Sequence, residues 1–177
     1  VMVYPFVLED KLWLLLYSNN VAKKFEVKVS RDELGITVKQ FRDLMEECEI
    51  RAYCGADDIA KIKPVSQKLY NWLIKPLEGE LKQNKVKNLV FALDRVTRYI
   101  PMSALYDGKQ YLIENYTIYN VFSADLTNTT ARLPATIQDT KVLAMGVSDA
   151  VGGFPALNNV PTEVDNIVRS NKRDKGV

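Results

Sequence analysis

The residues that could do nucleophilic or metal chemistry are few in this chain. It contains no histidine and two cysteines, Cys48 and Cys54. The lack of an imidazole excludes Ser/His and Cys/His nucleophile pairs, imidazole metal ligands and the usual near-neutral general base. The C-x5-C spacing of the cysteines fits neither a zinc knuckle nor a thioredoxin-type C-x-x-C motif, so we interpret both as reduced structural thiols. The sequence thus predicts no catalytic residue, no metal ligand and no cofactor.

Polar residues after two apolar runs are the best candidates for a ligand-binding cleft. Leu89–Leu93 and Val142–Val147 are short and continuously apolar, which is typical of strands covered on both faces in a parallel sheet. Ligands of open α/β sheets bind at the carboxyl ends of such strands. The alternative is that the residues there form ordinary turns or a flexible connection. The candidate cleft residues are Asp94, Arg95, Ser148 and Asp149.

The charge and the apolar runs exclude several classes of partner. The net charge is +2, and the basic residues are spread along the chain, so nothing predicts binding to nucleic acid or to an anionic membrane. The apolar runs are far shorter than the roughly 20 residues of a membrane span. Neither a P-loop nor a G-x-G-x-x-G motif occurs. Without the marks of a signal peptide at its amino terminus, the chain is expected to be cytoplasmic; the alternative is a mature secreted protein.

The first 30 residues predict an antiparallel β meander. Two apolar runs rich in β-forming residues flank the polar turn Glu9–Lys11. A third segment alternates apolar and charged residues, as a strand with one solvated face does. The three predicted strands are Met2–Leu8, Leu12–Tyr17 and Lys24–Val29.

Residues 31–85 predict a helical segment. Two pairs of residues have the spacing of a capping box, and an apolar stripe at helical spacing follows the second pair. The pairs are Ser30 with Glu33 and Thr37 with Gln40. A proline further along predicts a break in the second helix, because its ring clashes with the preceding turn. The predicted elements are a helix over Val38–Glu49, a connector over Tyr53–Pro64 and a second helix after Ser66 that breaks at Pro76.

Residues 86–177 predict the first part of an α/β sheet. Beyond the two apolar runs, Tyr111–Phe122 mixes β-forming and polar residues and predicts another strand or two. Thr162–Val168 is typical of the start of a helix packed on the sheet. We therefore predict a single α/β domain over residues 1–177, with a mixed, mainly parallel sheet flanked by helices and preceded by the meander.

Four groups of residues follow one another along the chain in a characteristic order. They are Phe6–Leu16; Leu69–Leu77; Ile100–Leu105 with Gly108, Tyr111 and Leu112; and Val142–Ser148 with Phe154–Leu157 and Glu163. Each group alone is weakly specific, but their order and spacing over nearly the whole chain are more so. Together they resemble the CHAT domain, a caspase- and separase-like module often fused to tetratricopeptide repeats.

The resemblance implies a caspase-like fold whose later strands end in a His-Gly motif and in a cysteine that together cleave peptide bonds. Neither motif maps onto this sequence, so no catalytic residue is carried over. The chain opens directly in the strand-like segment Val1–Tyr4 and closes on Lys172–Gly176, just beyond an amphipathic segment. We therefore expect an incomplete domain, the amino-terminal part of a longer one; the alternative is a degenerate member of the family that has lost these motifs.

The predicted function is accordingly the non-catalytic part of a domain whose complete form is a Cys/His peptidase in signalling or defence. The alternative is a catalytically inactive module that uses the same fold for protein interaction or assembly. The expected partners are proteins or peptides, among them the remainder of its own domain or tetratricopeptide repeats of the parent chain. An incomplete sheet would also leave an unpaired edge, which predicts association through edge strands.

Overall fold

A computed structural model describes residues 1–18, 20–123 and 142–168. Contacts divide the chain into two compact units, Val1–Asn128 and Thr129–Val177. The first contains the sheet and most of the helices, and the second contains one described helix. No helix among the described residues is long and apolar enough to span a membrane.

The predicted meander opens the first unit. Its strands are β1 (Met2–Val7), β2 (Leu12–Ser18) and β3 (Val21–Val27), paired antiparallel in that order. The amide of Leu8 donates to the carbonyl of Lys11 at 3.0 Å and closes the first turn. The third strand begins at Val21, earlier than predicted, because its pairing with β2 extends to Ser18.

Helix α1 spans Arg31–Ile50 and is longer than the predicted Val38–Glu49. Ser30 is its N-cap, and the Ser30 hydroxyl accepts the amide N–H of Glu33 at 3.1 Å. The second pair of the predicted spacing does not form a cap, since the Thr37 hydroxyl donates to the carbonyl of Glu33 inside the helix. The predicted start was wrong because the first of the two capping signals begins the helix.

Helix α2 spans Ala56–Leu73, so the predicted connector over Tyr53–Pro64 is wrong. The carboxylate of Asp58 accepts the amide N–H of the N-cap Gly55 at 3.0 Å, and this bond helps to start the helix. Pro64 lies within the helix with its ring exposed to solvent. The expected break at Pro76 is confirmed, because a 3₁₀ turn at Lys75–Leu77 separates α2 from α3 (Glu78–Gln83).

The meander continues into a parallel part of the sheet. Strand β4 (Asn88–Ala92) confirms the first predicted parallel strand and pairs with β1. After the short helix α4 (Leu112–Asn115), strand β5 (Thr117–Val121) pairs with β4 in parallel and confirms a strand in this region. The order of the described strands is β3-β2-β1-β4-β5. This mixed sheet, flanked by helices, confirms the predicted α/β class.

The core of the first unit lies between the sheet and the helices. Its largest fully buried side chains include Leu12, Leu14, Leu34, Phe41, Leu69, Leu73, Leu89 and Phe91. Burying each of these contributes roughly 1.5–3 kcal/mol relative to leaving it in water. The apolar stripes of α1 and α2 and the alternate residues of β2 therefore meet in one cluster, which sets the position of the strand ends.

The second unit confirms one predicted element and corrects another. Helix α5 spans Val160–Val168, where a helix was predicted. The run Val142–Val147 forms no strand, and its side chains are largely exposed, with Leu143 and Met145 each 84% accessible. A strand needs a hydrogen-bonded neighbour, and none of the described strands pairs with this run. Apolar composition alone was therefore not sufficient evidence for a strand.

Candidate functional site

The candidate site in the first unit lies at the carboxyl end of β4. The chain leaves this strand through Asp94 into a 3₁₀ turn over Arg95–Tyr99. The amide of Asp94 donates to the hydroxyl of the buried Thr97 at 3.0 Å, and the amide of Thr97 donates back to the carbonyl of Asp94. Arg95 has a φ of 47°, in the left-handed region that non-glycine residues seldom occupy. The Thr97 hydrogen bonds hold this tight turn.

The carboxylate of Asp94 and the guanidinium of Arg95 contact each other in solvent. Asp94 Oδ2 lies 3.6 Å from Arg95 Nε, and the two side chains are 43% and 62% exposed. Exposed ion pairs of this kind contribute about 0–1 kcal/mol. The two sequence candidates, which are neighbours in the chain, therefore form a surface pair beside the turn.

A small cavity opens next to this turn, at the carboxyl ends of β4 and β5. This cavity, called the Arg98 cavity below, has a volume of about 190 Å³ and is lined by Leu93, Arg98, Asn120, Val121 and Phe122. The Arg98 Nε donates to the carbonyl of Leu93 at 3.0 Å, which holds the guanidinium at the strand end. A guanidinium and a carboxamide can bind a carbonyl or carboxylate. Neither group is a nucleophile or a neutral-pH base.

The sequence did not single out Arg98 and Asn120. Asn120 lies opposite Phe91 in the parallel register of β4 and β5. Arg98 reaches the strand end only because the turn after Asp94 folds the chain back. Asn120 reaches this point through the pairing of two distant segments, whereas Arg98 reaches it through a local turn whose positive φ at Arg95 no simple sequence pattern predicts.

The other two candidates belong to the second unit. Ser148 is half-buried, and its carbonyl accepts the amide N–H of Leu157 at 2.8 Å. Asp149 is exposed. Both follow the apolar run that forms no strand, so the strand-end argument that selected them does not apply. Their participation in a cleft stays a prediction, as it does for Asp94 and Arg95.

The two cysteines lie at the turn between α1 and α2. Cys48 is in the last turn of α1, Cys54 directly precedes the N-cap of α2, and their sulfurs form a disulfide. The interpretation as reduced thiols was therefore wrong. The turn between the two helices brings their Cα atoms to 4.8 Å, within the distance that a disulfide spans.

A polar network surrounds Tyr70 at the amino-terminal side of β4 and β5. The Tyr70 hydroxyl donates to Glu78 Oε1 at 3.1 Å, and the Lys82 ammonium donates to Glu78 Oε2 at 2.7 Å. Burial, followed by the charge of Glu78, raises the pKa of Tyr70 well above its ordinary value, and burial also raises the pKa of Tyr116. These groups border a second cavity of about 450 Å³ at the amino-terminal ends of β4 and β5, whereas the Arg98 cavity lies at their carboxyl ends.

Comparison with known proteins identifies one family. A family model described as the CHAT domain matches residues 63–175, which is more than half of the chain. The match begins inside α2 and extends through β4, β5 and α5. No sequence among curated proteins matches the chain significantly. The matched range includes the turn after β4 and the Arg98 cavity.

Proposed function

The chain belongs to the CHAT domain family, which is related to caspase-like peptidases, and from this premise we propose that it is the non-catalytic, amino-terminal framework of such a domain. In this proposal the complete domain is a Cys/His peptidase that acts in signalling or defence in the cytoplasm. The reactive cysteine and histidine come from residues beyond these 177. The chain described here supplies the first strands of the sheet and groups that bind the peptide.

The observation that carries the proposal is the state of the potential nucleophiles. A peptidase thiol acts as the thiolate and needs a partner that removes its proton. The chain has no histidine. Its two cysteines lie at the α1–α2 turn instead of at the carboxyl end of a parallel strand, and in either redox state they have no imidazole to activate them.

The Arg98 cavity supports a peptide-binding role for the framework. It lies at the carboxyl ends of two parallel strands, where α/β sheets bind their ligands. Its volume is below the roughly 300–1,000 Å³ of drug-sized pockets. We infer that it takes one side chain or carbonyl group of a peptide, hydrogen-bonded by Arg98 and Asn120, while the rest of the peptide lies outside the cavity.

A peptide-cleavage assay tests the proposal. We expect the purified 177-residue chain to leave a panel of fluorogenic peptides uncleaved, both as isolated and after reduction. The same panel should be cleaved by a longer chain from the parent reading frame, provided that it includes a strand ending in His-Gly and a later strand ending in a cysteine. Cleavage by the 177-residue chain that Cys48→Ser or Cys54→Ser abolishes would overturn the assignment.

A second function, assembly through the sheet, is favoured by the composition of β5. This strand carries no charged residue, and Tyr119 and the following Phe122 are 51% and 90% exposed. Within the described residues, no strand pairs with the side of β5 that faces away from β4. An uncharged edge with exposed aromatic groups can accept a strand from another chain. In this alternative, protein association is the function, and catalysis is absent from the complete protein as well.

A further inference from the structure

The disulfide lies beside a carboxylate, and together they form a cluster of metal-ligand types. The Sγ atoms of Cys48 and Cys54 and a carboxylate oxygen of Asp58 all lie within 4.8 Å of one another. The three residues come from the last turn of α1, the connecting turn and the first turn of α2. Because Asp58 is ten residues from Cys48, helix reversal assembles the cluster.

The Asp58 carboxylate is held in place and still has capacity to bind. Its Oδ1 accepts from Arg51 Nη2 at 2.8 Å, and its Oδ2 accepts from the amide of Gly55 at 3.0 Å. Two carboxylate oxygens offer about four acceptor positions, so two remain. The side chain is 15% exposed, which leaves the oxygens restrained but accessible.

Charge complementarity favours a divalent cation. With both cysteines as thiolates, the cluster carries three negative charges, the neighbouring Arg51 carries one positive charge, and the charges of the nearby Lys61 and Glu47 offset each other. The carboxyl end of α1 also favours a cation, and the amino end of α2 favours the negative charge of a Cys54 thiolate directly before it. A dication therefore neutralises the two negative charges that remain after the positive charge of Arg51 is subtracted.

We propose that the reduced chain binds one zinc ion through Cys48, Cys54 and Asp58. Thiolate sulfur selects zinc over magnesium or calcium, and three protein ligands leave a fourth position for water. Two molecules of a monothiol reduce the disulfide, giving two cysteine thiols and one oxidised disulfide of the monothiol. Zinc binding then releases the two thiol protons. Zinc binding at this site depends on redox conditions, since a reducing compartment keeps both thiols available.

Metal binding by the full 177-residue chain tests this site. After reduction and removal of the reductant without air, zinc content is measured by equilibrium dialysis, and affinity by competition with a chromophoric chelator. We expect one zinc per chain. Cobalt(II) in its place should give a thiolate-to-cobalt charge-transfer band, which reports directly on sulfur ligands.

Substitutions distinguish zinc binding by the three ligands from non-specific zinc binding to surface carboxylates. Cys48→Ser and Cys54→Ser should each abolish stoichiometric binding and the cobalt band. Asp58→Asn should weaken zinc binding by about tenfold or more while both thiols remain. Asp57→Asn is the matched control, because Asp57 is the adjacent exposed carboxylate in the same helical turn, and it should leave the affinity unchanged. Circular dichroism verifies that each variant keeps its helices.

Three results would contradict the proposal. They are less than stoichiometric zinc on the reduced chain, equal affinities of the Asp58→Asn and Asp57→Asn variants, and equal zinc binding by the oxidised chain. The readout is metal content and not peptide cleavage, so failure here leaves the proposed framework role standing.

Discussion

Single residues in this molecule show how a polar side chain is accommodated at the edge of the core. Tyr70 is 6% exposed, yet its hydroxyl meets a carboxylate, Glu78, which Lys82 also binds. The phenol stays neutral while its ring packs among apolar residues. The cost of burying the hydroxyl is offset by a hydrogen bond to a charged acceptor.

Tyr70→Phe should lower the free energy of unfolding at neutral pH by about 1.5 kcal/mol, because it removes a hydrogen bond to a charged group. Urea unfolding followed by circular dichroism measures the change. Tyr119→Phe is the control, since that tyrosine is 51% exposed and its hydroxyl makes no hydrogen bond that the structure records. Equal losses in the two variants would contradict a specific role for the Tyr70 hydroxyl.

The pH dependence of the same variant follows from the raised pKa of Tyr70. In the unfolded chain this phenol loses its proton near pH 10, whereas burial and Glu78 keep it protonated in the folded chain to higher pH. Stability from this group is complete below about pH 10 and is lost as the pH rises further, because the unfolded state then binds fewer protons. Tyr70→Phe should therefore show a shallower alkaline decline. Tyr116, whose pKa is also raised, should retain part of the slope.

At the scale of elements, capping hydrogen bonds determine the first residues of α1 and α2 more than the apolar stripes do. Ser30 begins α1, and the Asp58 carboxylate helps to begin α2. Of the two apolar runs predicted as parallel strands, one forms a strand and the other does not. Leu89–Leu93 overlaps β4, which has a neighbour on each side, while Val142–Val147 has none among the described strands.

Ser30→Ala should destabilise the first unit by about 1 kcal/mol, because it leaves the amide of Glu33 without its side-chain acceptor at the start of α1. Ser30→Asp should retain most of the stability, since a carboxylate can accept the same bond and favours a helix amino terminus. The midpoint of urea unfolding compares the three chains. A Ser30→Asp chain as unstable as the alanine variant would argue against capping.

At the scale of the whole molecule, the two edges of the described sheet differ in character. Strand β3 carries Lys23, Lys24 and Glu26, and Lys23 forms a 2.7 Å ion pair with Glu80 of α3. Charged edges of this kind disfavour pairing with another chain. Strand β5 carries no charge and exposes aromatic groups. Association should therefore proceed through β5.

Light scattering over a wide range of protein concentrations tests this expectation. We expect the apparent mass of the 177-residue chain to rise with concentration. The double variant Tyr119→Lys and Phe122→Lys should remain a monomer, because it places charge on the β5 edge. Ile113→Lys is the control, as Ile113 is a 62% exposed apolar residue on α4 and not on the edge. A monodisperse unsubstituted monomer at every concentration would refute association through this edge.

The sequence by itself determined the features that depend on local chemistry. Two apolar runs around a polar turn, followed by an alternating segment, predicted the meander. A continuous apolar run predicted β4, and Pro76 predicted the break after α2. The absence of histidine is likewise a property of composition alone. The order of four residue groups along the chain also indicated the family, which the match over residues 63–175 shows.

Tertiary structure alone decided which segments pair and how the turns between elements fold. Pairing of β4 with β5 brought Asn120 to the strand end, and the turn after Asp94 brought Arg98 there. Reversal between α1 and α2 joined Cys48 to Cys54 and placed Asp58 beside them. Val142–Val147 pairs with none of the described strands and forms no strand itself. A local sequence pattern indicates which secondary structures a segment can adopt. Strand pairing and side-chain packing with other segments determine which of these structures is stable.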